Sequence, residues 1–182
     1  MHRIEAYITL AIIFIVIISI MYLPILLVLR KKGKGIIRQL SYLALFSSIF
    51  LIIFATILFM PITFTPEQYV LNIKPFQWLR EINSIKQFTV EIIPNIMLFI
   101  PLGIFIPVVF EKVRKLYKTT LIVFFVTVSV EFFQYFIGRS SDVDDIIANL
   151  LGGIIGYGIF KVFNCLFRKK EWWNKFTRRS CI

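Results

Sequence analysis

Apolar runs of about twenty residues recur five times in this chain, separated by short clusters of charge. An α-helix rises ~1.5 Å per residue, so the ~30 Å hydrocarbon layer of a bilayer needs about twenty apolar residues to cross it. Such runs lie approximately at Ala6 to Leu29, Tyr42 to Met60, Glu91 to Phe110, Thr119 to Ile137 and Val143 to Phe163. Inside lipid every backbone N–H and C=O must find its partner within the chain, which makes each run a helix. The expected fold is all-α: one membrane domain over residues 1–182, a polytopic bundle of five transmembrane helices. A hydrophobic content of 58% and a mean hydropathy of +0.82 leave no stretch for a separate soluble domain. The first run is also too long for a signal peptide, whose apolar core is about 7 to 15 residues, and no small-residue cleavage site follows it.

The net charge of +11 would suggest a nucleic-acid partner in a soluble protein. Here the cations fall between spans, as topology signals do, and form no basic face interleaved with stacking aromatics. Arg30, Lys31, Lys32, Lys34 and Arg38 follow the first run, Lys112, Arg114, Lys115 and Lys118 the third, and Arg168, Lys169, Lys170, Lys175, Arg178 and Arg179 the fifth. The opposite side carries Arg3, Lys74, Arg80, Lys86 and Arg139 among acidic residues. The positive-inside rule then puts the N-terminus outside and the C-terminus in the cytoplasm. Cys165 and Cys181 fall on that reducing side, where a structural disulfide is not expected.

Two segments read as lying along the membrane. In PFQWLREINSI, Phe76, Leu79, Ile82 and Ile85 recur every three residues while Arg80, Glu81 and Asn83 point elsewhere, as in an amphipathic interfacial helix. Near the C-terminus, Trp172, Trp173 and Phe176 stand among cations and resemble an aromatic anchor at the inner leaflet.

The residues that carry chemistry are polar groups placed where lipid is expected. An ionised side chain at the bilayer centre costs roughly 2.5 to 3.5 kcal/mol on insertion scales, so several together persist when they pair or line a polar cavity. Glu91 and Asn95 share a face near the outer end of the third run. Glu131 and Gln134 lie near the outer end of the fourth, Arg139 follows in the loop, and Asp142, Asp145 and Asn149 form one stripe into the fifth. All reach a similar depth, which predicts one polar pocket shared by three helices and open to the outside. Ala148, Gly152 and Gly156 recur every four residues, a small-residue pattern that lets helix backbones approach, and Gly153 widens the groove. A structural account runs alongside: Ser141 or Asp142 caps the fifth helix, Asp144 meets its dipole, and Arg139 neutralises Glu131 within an ion-pair network.

The segments NIMLFIPLG, from Asn95 to Gly103, and E-x-x-Q-x-x-x-x-R-x-x-D-x-x-D-x-x-x-N-x-x-G-x-x-x-G, from Glu131 to Gly156, resemble the signature of the VanZ-like membrane proteins. The likeness spans about residues 72–160, with Asn95, Pro101, Gly103, Glu131, Gln134, Arg139, Asp142, Asp145, Asn149 and Gly152 at the characteristic positions. It implies a multi-pass protein of the bacterial plasma membrane, linked to the cell envelope and to teicoplanin-type resistance. It supplies no reaction. Three readings follow. In one, the pocket binds an envelope lipid or lipid-linked cell-wall precursor, Arg139 meeting phosphate or carboxylate and the acids meeting amines or hydroxyls. In another, Glu91, Glu131, Asp142 and Asp145 serve a membrane enzyme as acid, base or ligands to Mg²⁺ or Ca²⁺. In the third the protein is a non-catalytic scaffold. No cofactor is expected beyond such a cation, no nucleic acid is expected as a partner, and no residue is assigned a catalytic role.

Overall fold

A computed structural model of the chain describes residues 2–31, 35–58, 71–76, 88–138 and 140–177, without the side chains of 2–15, Leu58, Val90 and Glu91. Its architecture is the expected all-α bundle. Helix α1 spans His2–Lys31 and α2 spans Ile36–Ile53, continued by a π-helical turn at Phe54–Leu58. A second π-helical turn, Phe88–Ile92, leads into α3 at Ile93–Val109. Helix α4 follows at Leu116–Phe136, α5 at Val143–Phe167 and the short α6 at Glu171–Thr177. Among the described residues three helical stretches have the length and apolarity to cross a membrane: Ile36–Ile57, Leu116–Phe136 and Val143–Phe167. Helix α3 is apolar but shorter, at 17 residues, because the expected third span opens with the π turn.

Helices α3 and α5 form the central seam, and small residues make it. A β-carbon added at Gly152 would stand 2.2 Å from the Ile96 carbonyl oxygen, one at Gly156 2.1 Å from that of Ile100, and one at Gly103 2.2 Å from that of Gly153. The two backbones therefore touch, and any side chain at these positions would force them apart. Gly153 gives the same space to Val123 of α4. In lipid, apolar surface provides no drive for helices to associate, so close packing of this kind is what holds them. Buried Ala148 extends the seam toward the N-terminus of α5.

On α2, Ser41, Leu45, Ser48 and Ile52 are buried, and Leu45 and Ile52 join a core with Phe99, Leu102 and Ile106 of α3 and Val123 and Val130 of α4. A second cluster joins Val108 of α3 to Tyr157 and Phe160 of α5 and Trp173 of α6. Trp173 is only 4% exposed and donates its indole N–H to Asn164 Oδ1 at 3.2 Å. The C-terminal aromatics therefore divide: Trp173 is a core residue, while Trp172 keeps an exposed ring. The interfacial helix expected from Phe76 to Ile85 lies, beyond Phe76, outside the described residues.

Candidate functional site

Helix α4 carries its buried face as a column, Thr119, Val123, Thr127 and Glu131, at four-residue spacing. At the top of this column Glu131 is 4% exposed. One of its carboxylate oxygens accepts the backbone N–H of Asp142 at 3.0 Å, and Ser141 hydrogen-bonds to the same carboxylate. Asp142 is the N-cap of α5: its Oδ1 accepts the Asp144 backbone N–H at 2.8 Å, satisfying one of the donors a helix start leaves free. Its other oxygen accepts from the Asn72 side-chain amide at 2.8 Å.

Asn72 reaches this place because residues 71–72 form a strand, β1, paired in parallel with β2 at Ser141–Asp142; Leu71 faces Ser141 and Asn72 faces Asp142. The chain then turns at Phe76, whose φ of 62° lies in the left-handed region that a bulky residue rarely adopts. Its backbone N–H donates to Asp144 Oδ1 at 2.6 Å, which holds the turn against the start of α5. The segment 71–76 is thus stapled across the α4–α5 connection by two aspartates.

Next to this lies a separate pair, with Asn95 of α3 donating its amide to Asp145 Oδ1 at 2.6 Å. Among the described residues, the predicted Asn95, Glu131, Asp142 and Asp145 of α3, α4 and the start of α5 gather at one end of the bundle in several hydrogen-bonded contacts. Gln134 turns toward α2 instead, donating to the Thr56 carbonyl at 3.1 Å in the π turn. Asn149 lies deeper, 2% exposed, and donates to Thr127 Oγ1 at 2.8 Å. The Asn149 side-chain oxygen has no hydrogen-bond partner among the described residues. Arg139 and the side chain of Glu91 lie outside the described residues.

At this end Glu131, Asp142, Asp144 and Asp145 each accept from an amide or backbone N–H. Among the described residues no group of three or more His, Cys, Asp or Glu is placed to hold a metal ion. Sequence reasoning did not single out Asn72, Thr127 or Thr56. The Thr119-Val123-Thr127 spacing below Glu131 was a readable sign of a buried polar face; the pairing of Asn72 with Asp142 across 70 residues left no local sign.

The opposite end of the bundle carries a second polar cluster, formed by two arginines of the cation clusters that follow the first and third apolar runs. Arg38 at the start of α2 is 6% exposed and donates to three backbone carbonyls: Val108 at 3.2 Å, Val109 at 2.6 Å and Phe176 at 2.8 Å. Its guanidinium also stands over the Tyr42 ring, 4.8 Å from the centroid. Arg114 donates to Pro107 at 2.9 Å and to the Thr177 carbonyl, and pairs with Glu111. Both arginines sit at the C-terminal ends of α3 and α6, where the helix dipole favours cations.

Comparison with known proteins gives a consistent result. The profile of the VanZ/LLP1 family matches residues 46–164. The chain is similar to "Protein VanZ" of Enterococcus faecium, with 29% identity over 140 residues that cover 76% of this chain and 82% of that protein. No solved structure gives a significant match.

Proposed function

The chain belongs to the VanZ/LLP1 family of membrane proteins, and on that premise we propose that its carboxylate end binds the headgroup of an envelope lipid or lipid-linked cell-wall precursor. The cation clusters orient this end toward the outside of a bacterial plasma membrane that the chain crosses several times. There the bound lipid is withheld from, or altered for, a teicoplanin-type antibiotic. One observation carries the reading: the segment at 71–76, the start of α3 and the α4–α5 connection bring Asn72, Asn95, Glu131, Asp142, Asp144 and Asp145 together in hydrogen-bonded contacts at one end of an apolar bundle.

The acids present acceptors to amines and hydroxyls, and the amides present donors to phosphate or carboxylate. A ligand engages such a site by replacing one side-chain partner with its own, which exchanges one hydrogen bond for another at small net cost. Arg139, adjacent in sequence, adds a cation for an anionic group. The test is expression in a teicoplanin-susceptible bacterial host. The unmodified protein is expected to raise the inhibitory concentration at least fourfold, and Asp145→Asn and Arg139→Ala, at equal membrane levels, to lose that gain. Unaltered susceptibility in both variants sinks the reading.

A further inference from the structure

Helices α2 and α4 meet at the carboxylate end, through the π turn and the Gln134–Thr56 hydrogen bond, and separate below it. The gap is a groove of about 480 Å³. Ile49, Ile53 and Ile57 form one wall, and Ile122, Val126 and Phe133 the other. Ser129 is the one hydroxyl of the lining, and it is already spent on the Phe125 carbonyl at 2.7 Å. We propose that this groove holds one hydrocarbon chain of the lipid whose headgroup lies on the carboxylate network, an assignment that rests on the function proposed above.

Three observations point to a lipid chain as the occupant. The first is continuity: Val130 and Phe133 line the groove and are the immediate neighbours of Glu131 and Gln134, as Ile57 is of Thr56. The groove therefore runs alongside the end of α4 that carries Glu131 and Gln134 and reaches the level of both. The second is size. From Ile122 to Phe133 the groove runs about 16 Å along α4, about half of the ~30 Å hydrocarbon layer and so the reach of one leaflet's chain.

The third is the wall chemistry, which argues against a packed helix. The closest helix seam in this molecule is built from small residues, Gly103, Gly152 and Gly156 between α3 and α5, and α2 turns Ser41 and Ser48 inward beside Leu45 and Ile52. Small residues let backbones approach in lipid. The groove walls are β-branched or aromatic apart from Ser129, so a helix of α1 or of a second copy would be held at a distance while a thin, flexible chain fits between the side chains.

A comparison groove is built into the same protein. An apolar depression of about 560 Å³ between α4 and α5, lined by Leu116, Leu121, Phe124, Leu150 and Ile154, lies toward the arginine end and away from the acidic network. The experiment uses the full-length protein in phosphatidylglycerol vesicles containing a small fraction of phosphatidylglycerol with a diazirine on one palmitoyl chain. After illumination, labelled peptides are mapped by mass spectrometry. Labelling at residues 49–57 and 122–133 is expected to exceed that at 150–154 and 116–121 at least fivefold. Ile53→Phe and, independently, Val126→Phe fill the groove and are expected to cut its labelling at least threefold while melting within a few degrees of the unmodified protein.

Equal labelling of the two grooves, or labelling indifferent to both filling variants, overturns the assignment. So does cross-linking of Ile53→Cys to a second copy, or to the first half of α1, in competition with the probe. Loss of resistance in Asp145→Asn with equal labelling of both grooves removes the chain site and leaves the headgroup reading standing. Localised labelling in a protein indifferent to Asp145→Asn overturns the coupling of the two.

Discussion

At the C-terminal end of α3, Arg38 and Arg114 donate to main-chain carbonyls, whereas near its N-terminal end Glu131, Asp142 and Asp145 accept from backbone N–H groups and from the amides of Asn72 and Asn95. Both arrangements follow the helix dipole, with cations at helix C-termini and acids at the start of α5. They differ in what a competitor could displace. A main-chain carbonyl is held in place by its helix, so Arg38 ties the start of α2 to the C-terminal ends of α3 and α6. An asparagine amide is a mobile side chain, and its place on a carboxylate can be taken by a ligand donor. On the function proposed above, the difference teaches that burial of charge alone does not mark a site; the exchangeability of the partner does.

Both ends hang from the α3–α5 seam, so breaking it tests whether they are separable at all. Gly156→Leu would drive a side chain into the Ile100 carbonyl and is expected to cost more than about 4 kcal/mol, leaving little folded protein in the membrane fraction. Limited proteolysis is the check. Protection of α6 that survives in this variant would mean that the arginine end folds on its own and the comparison is between two independent units.

The next largest effect separates the ends. Arg38→Met keeps the apolar stem and removes a charged donor from three carbonyls, at an expected cost of about 3 kcal/mol in reversible unfolding in mixed micelles. Arg38→Lys is expected to restore less than half of this, because one ammonium cannot reproduce the planar fork. Antibiotic susceptibility per folded molecule should not change in either variant. A change would mean that the arginine end belongs to the functional site.

Much of this architecture was legible in the chain. The spacing of apolar runs and cation clusters gave helices, and the four-residue glycine repeat lies where α5 meets α3. Asp142 as an N-cap could be read from the loop composition. What could not be read are contacts made across the sequence. Charge clustering classes Arg38 with its solvated neighbours, since nothing local to residue 38 announces carbonyls 70 and 138 residues away. Gln134 shares a helix end with Glu131, yet it turns to α2 because the π turn leaves the Thr56 carbonyl facing it. Trp173 likewise had the composition of a membrane anchor, and its burial depends on α6 folding back onto α5, a tertiary choice.

The smallest expected effect on stability is the most informative about the carboxylate end. Asn149 and Thr127 share one hydrogen bond inside the bundle, and the Asn149 oxygen has no acceptor duty among the described residues. Removing one partner alone strands the other: Asn149→Leu leaves the Thr127 hydroxyl without its amide, at an expected cost of about 1 to 2 kcal/mol. Asn149→Leu combined with Thr127→Val replaces both by apolar groups of similar shape, which is expected to come within about 0.5 kcal/mol of the unmodified protein. If the polar groups at this end serve only to hold helices together, the double variant keeps full resistance as well as full stability. If they serve a ligand, stability returns in the double variant while resistance does not, because the apolar pair repairs the packing without restoring an acceptor. The same substitution logic applied to Arg38 cannot produce that split, since its acceptors are carbonyls that no mutation removes.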